Sequence, residues 1–134
     1  MFDDFIKNAG LEYEHKDTDD DSTVFKDFDF ANKQHANSFM DTVLKPIQDQ
    51  GMDFWWIDGD VPAKGIDVEN QLWTNEVYQR HIKDNYKDRR SMIFSRTGGF
   101  GTHRYPFHFT GDTYSQWEVL KSQVEYTLRA GFIG

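Results

Sequence analysis

Three charged residues stand where short apolar runs end. Asp58 follows Phe54-Trp55-Trp56-Ile57, Arg96 follows Met92-Ile93-Phe94-Ser95, and Asp112 follows Phe107-His108-Phe109-Thr110-Gly111. Two carboxylates brought together can share the work of displacement at a carbon centre: one attacks or stabilises that carbon, while the other donates a proton to the leaving oxygen. On pattern alone, each aspartate reads better as the cap of a following helix. The residues around them carry the stronger reading.

For the three to meet, the runs must be neighbouring strands that end on the same side. Residues 52–58 form a short apolar run with an acid at its tip, the pattern of a buried parallel strand. Residues 91–95 and 107–111 are expected as two further strands. Between the first two lies a helix over about 70–87, with Leu72, Val77, Tyr78 and Ile82 inward. Residues 115–130 read as another helix, with Trp117, Leu120, Val124 and Leu128 inward, and Gly131-Phe132-Ile133-Gly134 as the start of a fourth strand. Strands separated by helices imply parallel pairing. In barrels of this class the catalytic groups lie at the C-terminal strand ends.

Upstream, residues 1–10 read as a short helix with Phe2, Phe5 and Ile6 on one face, ended by Gly10. Residues 11–23 form a polar, acidic loop, and 24–30 an extended segment. Asp17, Asp19 and Asp21 resemble the start of a calcium loop, but Ser22 replaces the required glycine and Phe28 the bidentate glutamate, so no metal site is expected. Asn32 is placed to cap a helix over 33–50, with Phe39, Val43, Leu44 and Ile47 on one face, a kink or break at Pro46, and Gly51 at its end. Residues 59–69 and the glycine-rich 97–106 read as loops.

With 134 residues, 37% of them hydrophobic and 16% aromatic, the chain has enough apolar mass for a core and too much for a disordered segment. Its formal charge of -8 argues against a nucleic-acid partner, because phosphate would be repelled. With no cysteine, disulfides and thiolate chemistry are excluded. Met1–Gly10 lacks the basic-then-apolar pattern of a signal peptide, and no run approaches the ~20 apolar residues of a membrane span. The expectation is a cytoplasmic protein with no membrane partner.

Phe54-Trp55-Trp56-Ile57-Asp58 resembles the nucleophile strand of glycoside hydrolase family 31, which includes α-glucosidases and α-xylosidases. Phe94-Ser95-Arg96-Thr97-Gly98-Gly99 and the residues to Tyr105 resemble its next strand and loop. Phe109-Thr110-Gly111-Asp112-Thr113, with Trp117-Glu118-Val119-Leu120 behind, resembles its acid/base strand and following helix. Residues 28–51 are similar to the helix before the nucleophile strand. The order also matches, and the resemblance covers most of residues 25–134.

The resemblance implies Asp58 as nucleophile and Asp112 as general acid/base, with Arg96 hydrogen-bonding the sugar at the cleavage site beside the acid/base. A general acid of this kind works near neutrality only with a raised pKa. Trp55 and Trp56 point to opposite strand faces, so one at most touches sugar, and Trp56 is the candidate. His108 and, less so, His103 are candidates for the pocket wall. No cofactor is implied. Where many members carry Met-Asn-Glu after the nucleophile, this chain has Gly59-Asp60-Val61, which removes that glutamate's contacts. Asp60, beyond the strand end, ranks second to Asp58 as nucleophile.

The expected fold class is α/β: a partial (β/α)8 barrel of three to four parallel strands, with residues 1–134 as a single piece of the catalytic domain. A complete barrel takes roughly 250 residues. Open strand edges and an uncovered aromatic inner face then predict self-association or a complementing chain, and little hydrolysis by the chain alone. The activity implied is retaining hydrolysis of terminal α-linked sugars. The alternatives are a non-catalytic carbohydrate-binding module using the aromatics as a platform, and a small doubly wound domain of unrelated function.

Overall fold

The computed structural model describes residues 1–12, 28–58, 67–96 and 101–133. Their elements, in chain order, are helix α1 (Phe2–Ala9), helix α2 (Lys33–Phe39), a π-helical turn (Met40–Leu44), helix α3 (Lys45–Gln48), strand β1 (Trp55–Ile57), helix α4 (Asp67–Asn85), strand β2 (Ile93–Ser95), a 3-10 turn (Thr102–Arg104), strand β3 (Phe107–His108) and helix α5 (Trp117–Ile133). The sequence-based readings of Asp17, Asp19, Asp21, Val24, Asp60 and the glycine pair Gly98-Gly99 lie outside the described residues.

The expected helix and strand signals recur with identifiable causes. Gly10 closes α1 in the left-handed conformation (φ 70°), its N–H turned back to the carbonyls of Ile6 and Lys7. Asn32 caps α2: its Oδ1 accepts from the N–H groups of Gln34 at 2.9 Å and His35 at 3.4 Å. The expected kink or break at Pro46 takes the form of a widened turn. Proline lacks an N–H and its ring presses on the carbonyl four residues back, here Thr42. The π-helical turn that ends at Leu44 opens the spiral there, with the Lys45 N–H reaching back to Met40 O, and the helix resumes through Gln48. The extra residue shifts the buried stripe to Ala36, Met40, Leu44 and Gln48, leaving Phe39 and Val43 half-buried at its flank and Ile47 half-buried.

The three strands pair in parallel in the order β1-β2-β3, with Trp56 opposite Phe94 and Phe94 opposite Phe107. One face of this sheet is packed. Ile57, Ile82, Ile93 and Tyr105 form a buried cluster under α4. A second cluster joins Phe5, Phe28, Phe30, Met40, Leu44 and Val77. Trp55 and Tyr78 pack against both and meet edge-to-face, 5.5 Å between ring centres. On α4, Val77 and Ile82 are buried as expected, but so are the polar Thr74, Asn75 and His81.

Two expectations fail at the C-terminus. Gly131-Phe132-Ile133 is not a fourth strand but the last turn of α5. A strand needs a neighbour for its backbone groups, whereas a continuing helix satisfies them within itself. Trp117, Leu120, Val124 and Leu128 do not face inward; all four are exposed. Among the described residues no element packs over them. Of the described helices, none is long and apolar enough to cross a membrane.

Candidate active site

Asp58 is the first residue after β1, and Arg96 the first after β2. The Arg96 N–H donates to Ile57 O at 2.9 Å, extending the β1–β2 ladder by one step, and the Phe109 N–H likewise extends β3 to Ser95 O at 3.1 Å. These backbone bonds align the strand ends in one row. From it the Arg96 guanidinium donates through Nη1 to Asp58 Oδ1 at 2.9 Å. Both side chains are exposed, so the pair adds about 0–1 kcal/mol to stability and serves mainly to fix direction.

Asp112 lies four residues beyond β3 and is exposed. Its position is set through Gly111. There φ is +86°, and a Cβ would lie 2.6 Å from Arg96 Nε and Nη2. Only glycine permits both that conformation and that approach. The Gly111 backbone therefore rests on the same guanidinium that holds Asp58, which brings the Asp112 turn to the Asp58–Arg96 pair. In sequence, Gly111 is marked only by standing directly before the candidate acid; its packing role emerges from the fold.

Trp56 occupies the sheet face opposite Trp55, as strand alternation requires. Its ring centre lies 5.8 Å from Phe94 and 5.9 Å from Phe109, and Phe94 lies 4.6 Å from Phe109. With Phe107 they make an aromatic wall on the uncovered face, just below the charged row; Trp56 is 63% exposed. His108 is exposed, and its Nε2 lies 3.1 Å from Thr102 O, so it donates to the backbone of the 3-10 turn. His103 sits in that turn, also exposed. Tyr105, buried behind it, donates to Glu76 Oε2 at 3.2 Å; burial, then the Glu76 charge, push its pKa up to about 12.

A cleft of about 460 Å³ opens beside the row, lined by Arg96, Phe109, Thr110, Gln123, Tyr126 and Arg129 among others. Thr110 Oγ1 donates to Gln123 Oε1 at 3.0 Å and ties α5 to the strand ends. Among the described residues no group of histidine and acidic side chains is arranged to hold a metal ion.

The row thus offers two carboxylates, an arginine and an aromatic wall at the C-terminal ends of parallel strands. A family model described as the TIM-barrel domain of glycosyl hydrolases family 31 matches residues 3–134. No solved structure matches the chain.

Proposed function

This chain belongs to glycosyl hydrolase family 31, and on that premise we propose that it carries the catalytic pair of a retaining α-glycosidase acting on terminal α-linked sugars. Asp58 attacks the anomeric carbon as Asp112 gives its proton to the departing glycosidic oxygen. The glycosyl ester on Asp58 is then opened by water, whose proton returns to Asp112. Retention requires the two carboxyl groups ~5–5.5 Å apart when sugar is bound.

Arg96 holds one carboxylate oxygen of Asp58 and aligns the Gly111–Asp112 turn. Trp56 supplies a hydrophobic face for the sugar ring, and His108 supports the wall through its turn. The observation that carries this reading is the Arg96 guanidinium lying against both Asp58 and Gly111. An eight-stranded barrel surrounds such a site with loops from all its strands. Three strands provide part of that surround, so the chain by itself turns over little or no substrate, for want of positioning.

The test is hydrolysis of a panel of aryl α-glycosides by this chain, alone and co-expressed with the flanking coding segments. Activity with the flanks that is lost in Asp58→Asn and in Asp112→Ala supports the assignment and names the sugar. Activity that survives either change refutes the pair.

The aromatic wall of exposed Trp56 over half-buried Phe94 and Phe109 favours a second reading, a non-catalytic carbohydrate-binding surface. Sugar binding that persists in the Asp58→Asn/Asp112→Ala double variant, with no hydrolysis in any combination, would select it.

A further inference from the structure

Parallel strands are ordinarily joined through a helix that packs the connection onto the sheet. β2 and β3 are joined instead by the eleven residues from Arg96 to Pro106, whose described part holds one 3-10 turn. The ladder between the two strands is short as well, with Phe94 opposite Phe107 and Ser95 opposite His108. A further contact is needed to seat β3 firmly, and Asp112 stands four residues past its end.

Tyr105 serves where a crossover helix would. Its ring is buried with Ile57, Ile82 and Ile93 under α4. Its hydroxyl lies 3.4 Å from Leu72 O and donates to Glu76 Oε2 at 3.2 Å. The carbonyl alone would satisfy a buried hydroxyl; the carboxylate adds a charge-assisted bond that fixes direction. Burial, then the Glu76 charge, hold the phenol in its protonated form, so it is a donor at neutral pH. From Tyr105 the connection to β3 runs through a single carbonyl. Thr102 O accepts from the Tyr105 N–H at 2.9 Å and from His108 Nε2 at 3.1 Å. Pro106, the one residue between Tyr105 and β3, restricts the backbone there. Downstream, Gly111 rests on Arg96. β3 is thus fixed at its near end by Tyr105 and at its far end by the Arg96–Gly111 contact.

We propose that Tyr105 and Glu76 are positioning residues for Asp112: their hydrogen bond seats the start of β3 against α4 and so sets where the acid/base stands relative to the leaving oxygen. Both act from the packed side of the sheet, away from the aromatic wall. This role rests on the hydrolase reading. A misplaced Asp112 penalises the step in which it donates its proton. The penalty depends on the leaving group: a phenyl glycoside needs that proton, whereas 2,4-dinitrophenolate departs without it.

The chain and its variants are co-expressed with the flanking coding segments and compared by kcat/KM on phenyl and 2,4-dinitrophenyl α-glycosides of the sugar the parent accepts. Tyr105→Phe keeps the ring in the core and removes the donor. Glu76→Ala removes the acceptor, and Glu76→Gln keeps one. Tyr105→Phe and Glu76→Ala are expected to lower the phenyl value about tenfold and the dinitrophenyl value by about twofold or less, with Glu76→Gln within about threefold of the parent on both. Trypsin reads the seat directly, because Arg104 is exposed in the 3-10 turn. Cleavage after Arg104 should run about tenfold faster in Tyr105→Phe than in the parent. An equal loss on both glycosides makes the pair structural only and overturns the role, with the hydrolase reading intact. So does cleavage after Arg104 at the parent's rate. A parent that hydrolyses neither glycoside overturns the hydrolase reading, and this role falls with it.

Discussion

The Arg96 guanidinium lies against Gly111 while its Nη1 holds Asp58 at 2.9 Å, so one cation connects the ends of β1, β2 and β3. It spans the two candidate carboxylates through one side-chain contact and one backbone contact. Neither contact depends on residues outside this chain, so both can be tested on the chain itself.

Gly111→Ala should displace Arg96. The new methyl would meet the guanidinium at 2.6 Å on a backbone with φ +86°, and a left-handed alanine costs roughly 1–2 kcal/mol before any clash. Urea unfolding midpoints check the loss. In an Arg96→Ala background the clash vanishes, so Gly111→Ala should cost measurably less there. Equal costs in both backgrounds would mean the contact is absent in solution.

The two tryptophans of β1 should separate stability from sugar binding. Trp55 is half-buried against Tyr78, so Trp55→Ala should cost ~2 kcal/mol or more. Trp56 is exposed on the wall, so Trp56→Ala should leave the unfolding midpoint within about 0.5 kcal/mol of the parent. The same change should abolish any fluorescence response to an aryl α-glycoside. A sugar response kept in Trp56→Ala would remove Trp56 from the binding surface.

Acid should weaken the fold through His81. The ring is buried; its Nδ1 faces Asn85 Nδ2 at 3.3 Å, and its Nε2 has no partner. Burial, then the charge of Lys45, lower its pKa below 6.5, against the opposing pull of Asp41, Asp49 and Asp84. A depressed histidine is neutral in the fold and binds a proton more readily when unfolded. Its contribution is therefore complete above about pH 6.5 and is lost as pH falls through the folded value. His81→Leu should flatten the dependence of unfolding midpoint on pH just below about pH 6.5. An unchanged slope would place the titration elsewhere.

Asn32→Ala should cost about 1 kcal/mol, because two N–H groups at the start of α2 lose their acceptor. Phe28→Ala should cost ~3–5 kcal/mol. Phe28 is fully buried and meets Phe5, Phe30 and Phe39 within 5.9 Å. Chemical denaturation of the two variants in parallel should rank them in that order.

Much of the framework was legible because its signals are local. Asn32 and Gly10 act on the backbone within a turn of themselves. The alternation of Trp55 and Trp56 follows from strand geometry whatever lies on either side. The three apolar runs ending in Asp58, Arg96 and near Asp112 also mark the strands, although β3 is shorter than its run. Less legible were features that depend on a neighbour. A proline inside a helix marks a defect, but its form as a π-helical turn goes with the packing of α2 and that turn against Phe5 and Val77. Thr74, Asn75 and His81 are polar in sequence, and only the closeness of α4 to the sheet buries them.

From sequence alone came the family resemblance, the parallel α/β character and the two candidate carboxylates, since these rest on residue types and on spacing along one chain. The tertiary structure decided how those residues are joined and which faces are covered. It placed Arg96 against both Asp58 and Gly111, turned the apolar stripe of α5 to solvent, and carried Gly131-Phe132-Ile133 on as helix. Periodicity tells which side of a helix is apolar, but burial requires a second surface at the right distance, and that is a property of the folded arrangement rather than of any segment.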